Sequence, residues 1–181
     1  MLFRSRAHTN RVVAALDAVA ETFAELAAAC IEYADGIFLA TTVWARRDTL
    51  DEGEYRRFGT EYDLRVLAGA RGAALNILHV CGPRARVVEL AHYPVAAVSW
   101  NPRLAENPDL AAFLAAVPSR GAIGGFSDEA FLASTPALAK REARDDLAQT
   151  GARRWLAAGG CTIPIDSRPE NIDAARGALS G

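Results

Sequence analysis

The chain has 181 residues, of which 51% are hydrophobic, and its 20 basic residues nearly balance its 22 acidic ones. This length suffices for one domain with a hydrophobic core. The mixed charges favour a solvated surface and exclude electrostatic binding to nucleic acid or to an anionic membrane. No stretch of the sequence approaches the roughly 20 apolar residues that a membrane helix needs.

The N-terminus and the cysteine content predict a cytoplasmic protein. Residues 1–6 lack the apolar core of a secretory signal. Three cysteines without framework spacing do not indicate a disulfide scaffold. In a reducing cytoplasm these thiols are available for metal binding or catalysis.

Apolar periodicity predicts helices that alternate with short apolar runs along the chain. Helices are predicted at 9–34, 51–72, 83–91, 108–117, 135–150 and 169–179. Strands are predicted at 36–41, 74–80, 96–100, 122–125 and 154–159, the first of them buried on both faces. Asp51 and Thr135 are the expected side-chain caps of their helices. The alternation predicts an α/β fold with a parallel sheet of right-handed βαβ units.

Small and polar residues follow the predicted strands, where parallel α/β folds collect their chemistry. His79 and Cys81 are two residues apart, so on a strand both side chains point to the same face. Cys161 follows another strand. One imidazole and two thiols suit zinc, and three protein ligands with an open fourth position are typical of a catalytic zinc site. The alternative is a buried histidine with two core thiols.

Several motifs, in their order and spacing, resemble the uroporphyrinogen decarboxylase superfamily. They are Asp35-Gly36-Ile37-Phe38, Ile77-Leu78-His79-Val80-Cys81-Gly82, Ala97-Val98-Ser99-Trp100, Gly124-Gly125, Gly160-Cys161-Thr162-Ile163-Pro164 and Pro169-Glu170-Asn171-Ile172. The resemblance implies a (β/α)8 barrel of TIM type. It also implies that residues 1–181 form one domain, the C-terminal portion of a longer barrel.

A partial barrel of this kind has unpaired edges. Five of eight strands do not close an ordinary barrel. The strands at 37–41 and 154–159 are therefore each expected to expose an edge. We expect either an incomplete gene product or a chain that pairs through these edges with a second copy of itself or with another chain.

The superfamily contains two chemistries, and the resemblance favours its zinc-dependent methyltransferases. These move a methyl group from a donor such as a methylated corrinoid to a thiol, and they hold zinc with a His-x-Cys pair and one later Cys. Carried over to this chain, the metal-binding and catalytic residues are His79, Cys81 and Cys161. The resemblance thus implies zinc as cofactor, a small-molecule substrate and a corrinoid protein as partner.

Two alternatives remain open at the sequence level. One is uroporphyrinogen decarboxylase activity in porphyrin biosynthesis, which needs no metal. Against it, this chain has Gly160-Cys161-Thr162 where the decarboxylases carry a His in a Gly-His-Gly context. The other alternative is an inactive fragment that folds only with a partner.

Side chains at the strand ends are candidates for contacts with a substrate. They are Thr41, Ser99, Trp100, Asn101 and Asp128. Trp100 is equally compatible with packing. Cys30 is expected to fill the core. His79 requires a partner on its second ring nitrogen, which the sequence does not identify.

Overall fold

The computed structural model describes residues 8–133 and 135–180. Its centre is a five-stranded parallel sheet whose strands lie side by side in chain order. The strands are β1 (Phe38–Thr41), β2 (Ile77–Val80), β3 (Ala97–Ser99), β4 (Gly121–Phe126) and β5 (Trp155–Gly159). Helices connect each strand to the next, which confirms the predicted partial (β/α)8 barrel.

The helical segments vary widely in length. They are α1 (Thr9–Cys30), α2 (Glu52–Tyr55), α3 (Glu61–Gly69), α4 (Val87–Leu90), α5 (Leu110–Ala116), α6 (Asp128–Leu132), α7 (Ala137–Thr150) and α8 (Pro169–Leu179). A 3-10 turn (Val43–Ala45) follows β1, and a π-helical turn (Arg56–Thr60) joins α2 to α3. No helix in the described ranges is both long enough and apolar enough to span a membrane.

The first two predicted helices are shorter than expected. α1 ends at Cys30 instead of residue 34, and Cys30 is exposed, so the expected core role of this thiol is wrong. The π-helical turn divides the helix predicted at 51–72. Asp51 caps α2 as predicted. Its carboxylate accepts a hydrogen bond from the Glu54 N–H, while the Glu54 carboxylate accepts one from the Asp51 N–H.

Two further differences follow β4. The five-residue helix α6 was not predicted, since it is too short to show a helical period. Ser127 begins it, because its hydroxyl accepts a hydrogen bond from the Ala130 N–H. Pro136 lies at the N-cap of α7, and no side-chain hydrogen bond caps that helix. The predicted cap at Thr135 is therefore wrong.

The helix-facing side of the sheet carries the main core. Alternation along β2 and β3 directs Leu78, Val80, Val98 and Trp100 to this side, and all four are fully buried. Phe113 of α5 packs on Trp100 with ring centroids 4.4 Å apart. Burial of each such side chain contributes about 1.5–3 kcal/mol. The sheet is thus supported on its helix-facing side by a closely packed hydrophobic core.

The opposite, inner side of the sheet is open. Phe38 on β1 is 58% exposed, and Leu156 on β5 is 61% exposed. β1 and β5 are the outermost strands among the described residues, which confirms the two expected edges. The expectation that β1 is buried on both faces is wrong, because its inner face, which carries Phe38, is exposed.

Candidate metal centre

Three side chains from two separated strands meet on the inner side. His79 lies on β2, Cys81 directly follows β2, and Cys161 lies just beyond β5. One ligand atom from each lies within 4.8 Å of the other two. Over residues 8–133 and 135–180, this is the one group of His, Cys, Asp or Glu side chains arranged closely enough to hold a metal ion.

The curvature of the sheet brings Cys81 and Cys161 together. In a flat sheet, three inter-strand steps of about 4.8 Å would separate β2 from β5 by about 14 Å. The two Sγ atoms are instead 3.8 Å apart. The strands therefore curl as in a barrel, and both thiols point toward its inside.

Neighbouring strands fix the imidazole of His79. The strand register pairs His79 with Ala40 of β1 and with Ser99 of β3. His79 Nδ1 lies 3.1 Å from Ser99 Oγ, and both side chains are buried. The Phe38 ring stacks on the imidazole at a centroid distance of 5.7 Å. With Nδ1 hydrogen-bonded to Ser99, Nε2 is the nitrogen left for a metal.

Burial changes the proton affinity of two of the candidate ligands, His79 and Cys81. It lowers the pKa of His79 and so favours the neutral imidazole, although the contact with Ser99 acts in the opposite direction. Burial also raises the pKa of the Cys81 thiol, and the adjacent Cys161 raises it further, first through the hydrogen bond between the two thiols and then through repulsion between neighbouring thiolates. Arg46 partly opposes this effect. A positive ion between the two sulfurs would remove the penalty.

Tight packing fixes the loop that carries Cys161. The Gly160 N–H donates a hydrogen bond to the Phe126 carbonyl at 2.8 Å. A Cβ atom at Gly160 would overlap the side chain of Asn101. Asn101 is buried, and its Oδ1 accepts a hydrogen bond from the Arg103 N–H at 3.0 Å. Asn101 therefore packs directly against the loop at Gly160 and limits its movement.

The other candidates for substrate contact lie in different environments. Trp100 is fully buried on the helix-facing side and donates its indole N–H to the Pro108 carbonyl at 2.9 Å, so it packs in the core. Thr41 is buried, and its hydroxyl donates to the His79 carbonyl at 3.1 Å. Asp128 is exposed at the start of α6 and contributes to the raised pKa of Cys81. It is the one exposed side chain among the five candidates.

Two residues beside the site were not singled out from the sequence. Phe38 is one, and alternation along β1 together with the strand register would have placed it next to His79. Arg46 is the other. Its side chain lies over Gly82 and forms an ion pair with Asp48 at 2.6 Å. Arg46 directly follows the 3-10 turn Val43–Ala45, which is too short to give a periodic signal in the sequence.

These features define an open parallel α/β barrel with one histidine and two cysteines at the carboxyl ends of its strands. The sequence matches the uroporphyrinogen decarboxylase (URO-D) family over residues 4–179, and the chain belongs to that family. No curated protein matches the sequence.

A solved structure shares the fold. A methyltransferase from Methanosarcina mazei superposes with a TM-score of 0.81 at 20% sequence identity, over 99% of this chain and 52% of that chain. The chain thus spans about half the length of that methyltransferase. At this level of identity the likeness shows the fold alone.

Proposed function

We propose that this chain binds zinc through His79, Cys81 and Cys161 and forms the metal centre of a methyltransferase that acts on a thiol. The observation that carries the proposal is the convergence of their donor atoms within 4.8 Å. Two Zn–S bonds of about 2.3 Å in a tetrahedral site separate the sulfurs by about 3.8 Å. The observed Sγ–Sγ distance is 3.8 Å. The donor set and its spacing therefore fit zinc.

The proposed reaction transfers a methyl group from a donor such as a methylated corrinoid to the sulfur of a small-molecule thiol. Zinc bound here would lower the pKa of a thiol in its fourth position and so supply a thiolate at neutral pH. Ser99 holds the imidazole in a fixed orientation. The open inner side, where Cys161 is exposed, gives a substrate access to the three donors. Asp128 offers a charged group for binding the substrate nearby.

Metal analysis of the full chain tests the first part of the proposal. After dialysis against zinc and removal of free metal, we expect one zinc ion per chain. Cys161→Ser removes a ligand and should abolish stoichiometric binding. Cys30→Ser is the matched control, because Cys30 is an exposed thiol at the end of α1 and is not part of the site. Absence of zinc from the unaltered chain contradicts the proposal.

Turnover is a separate expectation, since the chain spans 52% of the methyltransferase with which it was compared. We propose that the edges of β1 and β5 pair with a second copy or with another chain that completes the pocket. Methylcobalamin and a small thiol serve as substrates in the assay, with and without that partner. Formation of the methyl thioether, lost in Cys161→Ser, supports methyl transfer.

Decarboxylation of uroporphyrinogen is the alternative, because it is the activity that names the family. Cys161 argues against it, since the resemblance places a histidine of the decarboxylases at this position. Formation of coproporphyrinogen by the metal-free chain would establish this alternative and exclude the proposed methyl transfer.

A further inference from the structure

The two thiols of the candidate centre are close to each other and differ in their access to solvent. Cys81 and Cys161 carry free thiols whose Sγ atoms are 3.8 Å apart. Cys161 is exposed, whereas Cys81 is partly buried. A disulfide has an S–S bond of about 2.05 Å, so the sulfurs need to approach by less than about 2 Å.

We propose that Cys81 and Cys161 are a redox modification site at which a hydroperoxide closes an intramolecular disulfide in the metal-free chain. Metal and disulfide are then mutually exclusive states of the same two sulfurs. The disulfide itself follows from the thiol geometry, while its competition with metal rests on the proposed zinc site.

The chemistry balances with the hydroperoxide as a two-electron oxidant. The exposed sulfur of Cys161 attacks the peroxide, the O–O bond breaks, and a sulfenic acid forms as water leaves. The sulfur of Cys81 then attacks the sulfur of Cys161. The S–S bond forms, the S–O bond breaks, and a second water leaves. For hydrogen peroxide, two thiols and one oxidant give one disulfide and two waters.

The position of Cys161 favours this pairing over reaction with a distant thiol. Cys161 is exposed and lies outside the helices and strands. Gly160 before it is held against Asn101, which keeps the loop close to Cys81. Cys30 forms no thiol contact within the described part of the chain. We therefore expect its thiol to stay free when the disulfide forms.

The disulfide would also stabilise the open barrel. Its two residues are 80 positions apart, and it would join the end of β2 to the loop after β5. A cross-link across such a long loop reduces the conformational freedom of the unfolded chain. We therefore expect the oxidised chain to melt at a higher temperature than the reduced chain.

Peptide mass mapping of the full metal-free chain tests the proposal. Oxidation by stoichiometric hydrogen peroxide should lower the number of free thiols per chain from the three in the sequence to one. The intact mass should fall by about 2 Da, with Cys81 and Cys161 in one linked peptide, and a thiol reductant should reverse both changes. Cys30→Ser should still form this disulfide, while Cys161→Ser should not. Sulfinic acid without a cross-link, or a covalent dimer alone, overturns the proposal.

A zinc-loaded sample separates this inference from the proposed function. If both hold, zinc slows disulfide formation at least about tenfold, because the metal-bound sulfurs are no longer free to react. A chain that forms the disulfide but binds no zinc supports the redox site and contradicts the zinc site. A chain that binds zinc but gives no disulfide after zinc removal contradicts the redox site alone.

Discussion

Ser99 Oγ lies 3.1 Å from Nδ1 of His79, and the two residues are register partners on adjacent parallel strands. Both are buried, so water does not compete for this hydrogen bond. The bond limits rotation of the ring and leaves Nε2 as the nitrogen available to the proposed metal. It supplies the partner of His79 that sequence analysis did not identify.

Replacement of Ser99 should therefore weaken metal binding without removing a ligand. We expect Ser99→Ala to lower zinc affinity about 10–100-fold, since the imidazole loses its orienting partner. Ser99→Thr retains the hydroxyl and should restore much of the affinity. Competition titration with a chromophoric chelator measures the change. Thr41→Val is the control, because Thr41 bonds the backbone carbonyl of His79 and not its ring. Equal affinities for Ser99→Ala and the unaltered chain would contradict the role of this bond.

Gly160 should not tolerate a side chain. A Cβ atom there would overlap Asn101, and Cys161 is the next residue. We expect Gly160→Ala to lower the free energy of unfolding by about 1–3 kcal/mol and to weaken zinc binding. Urea denaturation and zinc titration measure the two effects.

Gly177→Ala is the matched control for this substitution. Apart from its chain neighbours and the nearby backbone of its own helix α8, no atom of the described residues lies within 4 Å of a Cβ added at Gly177. Alanine should stabilise this helix by about 0.5–1 kcal/mol. If Gly160→Ala proves as stable as Gly177→Ala, the loop that carries Cys161 is not held by the contact between Gly160 and Asn101.

Asp146 of α7 should make stability depend on pH. Arg103 pairs with its Oδ1 at 2.7 Å, while Oδ2 is buried without a partner among the described residues. Burial raises the pKa of Asp146 to about 7 from its ordinary value of 3.8, against the opposing effect of Arg103. The folded state thus holds the proton more tightly than the unfolded state. The resulting stabilisation is complete below about pH 3.8 and is lost as the pH rises through about 7.

Unfolding measured between pH 8 and pH 5.5 tests this dependence. Relative to Asp146→Asn, the unaltered chain should gain up to about 1.4 kcal/mol of stability per pH unit below pH 7. Asp173→Asn, at an exposed position on α8, should keep the pH profile of the unaltered chain. Parallel profiles for Asp146→Asn and the unaltered chain would show that Asp146 does not titrate in this range.

The edge beside β1 should promote association. Phe23 and Leu26 of α1 line a groove with Phe38 of β1, and all three are more than half exposed. Exposed apolar groups of this kind drive chains to associate. We expect Phe23→Lys to reduce self-association in sedimentation velocity experiments. Leu132→Lys, which changes an exposed apolar residue on α6, should have little effect. A larger decrease in self-association for Leu132→Lys than for Phe23→Lys would show that the association surface lies elsewhere.

The local pattern of the sequence predicted much of the fold. Apolar runs and helical periods predicted five strands in alternation with helices, and the last helix has its predicted bounds at Pro169–Leu179. These features depend on residues close in sequence, which is why pattern alone revealed them. The π-helical turn was missed because it interrupts a continuous apolar period without a proline or glycine cluster to mark it.

Sequence by itself also determined that His79 and Cys81 share a face, because alternation along a strand is a local property. Only the tertiary structure decided that Cys161 approaches them, that Ser99 bonds the imidazole and that Trp100 points away into the core. Each of these depends on strand register and on curvature accumulated over several strands. Cys81 and Cys161 are 80 residues apart, and their 3.8 Å separation arises from the curl of the whole sheet.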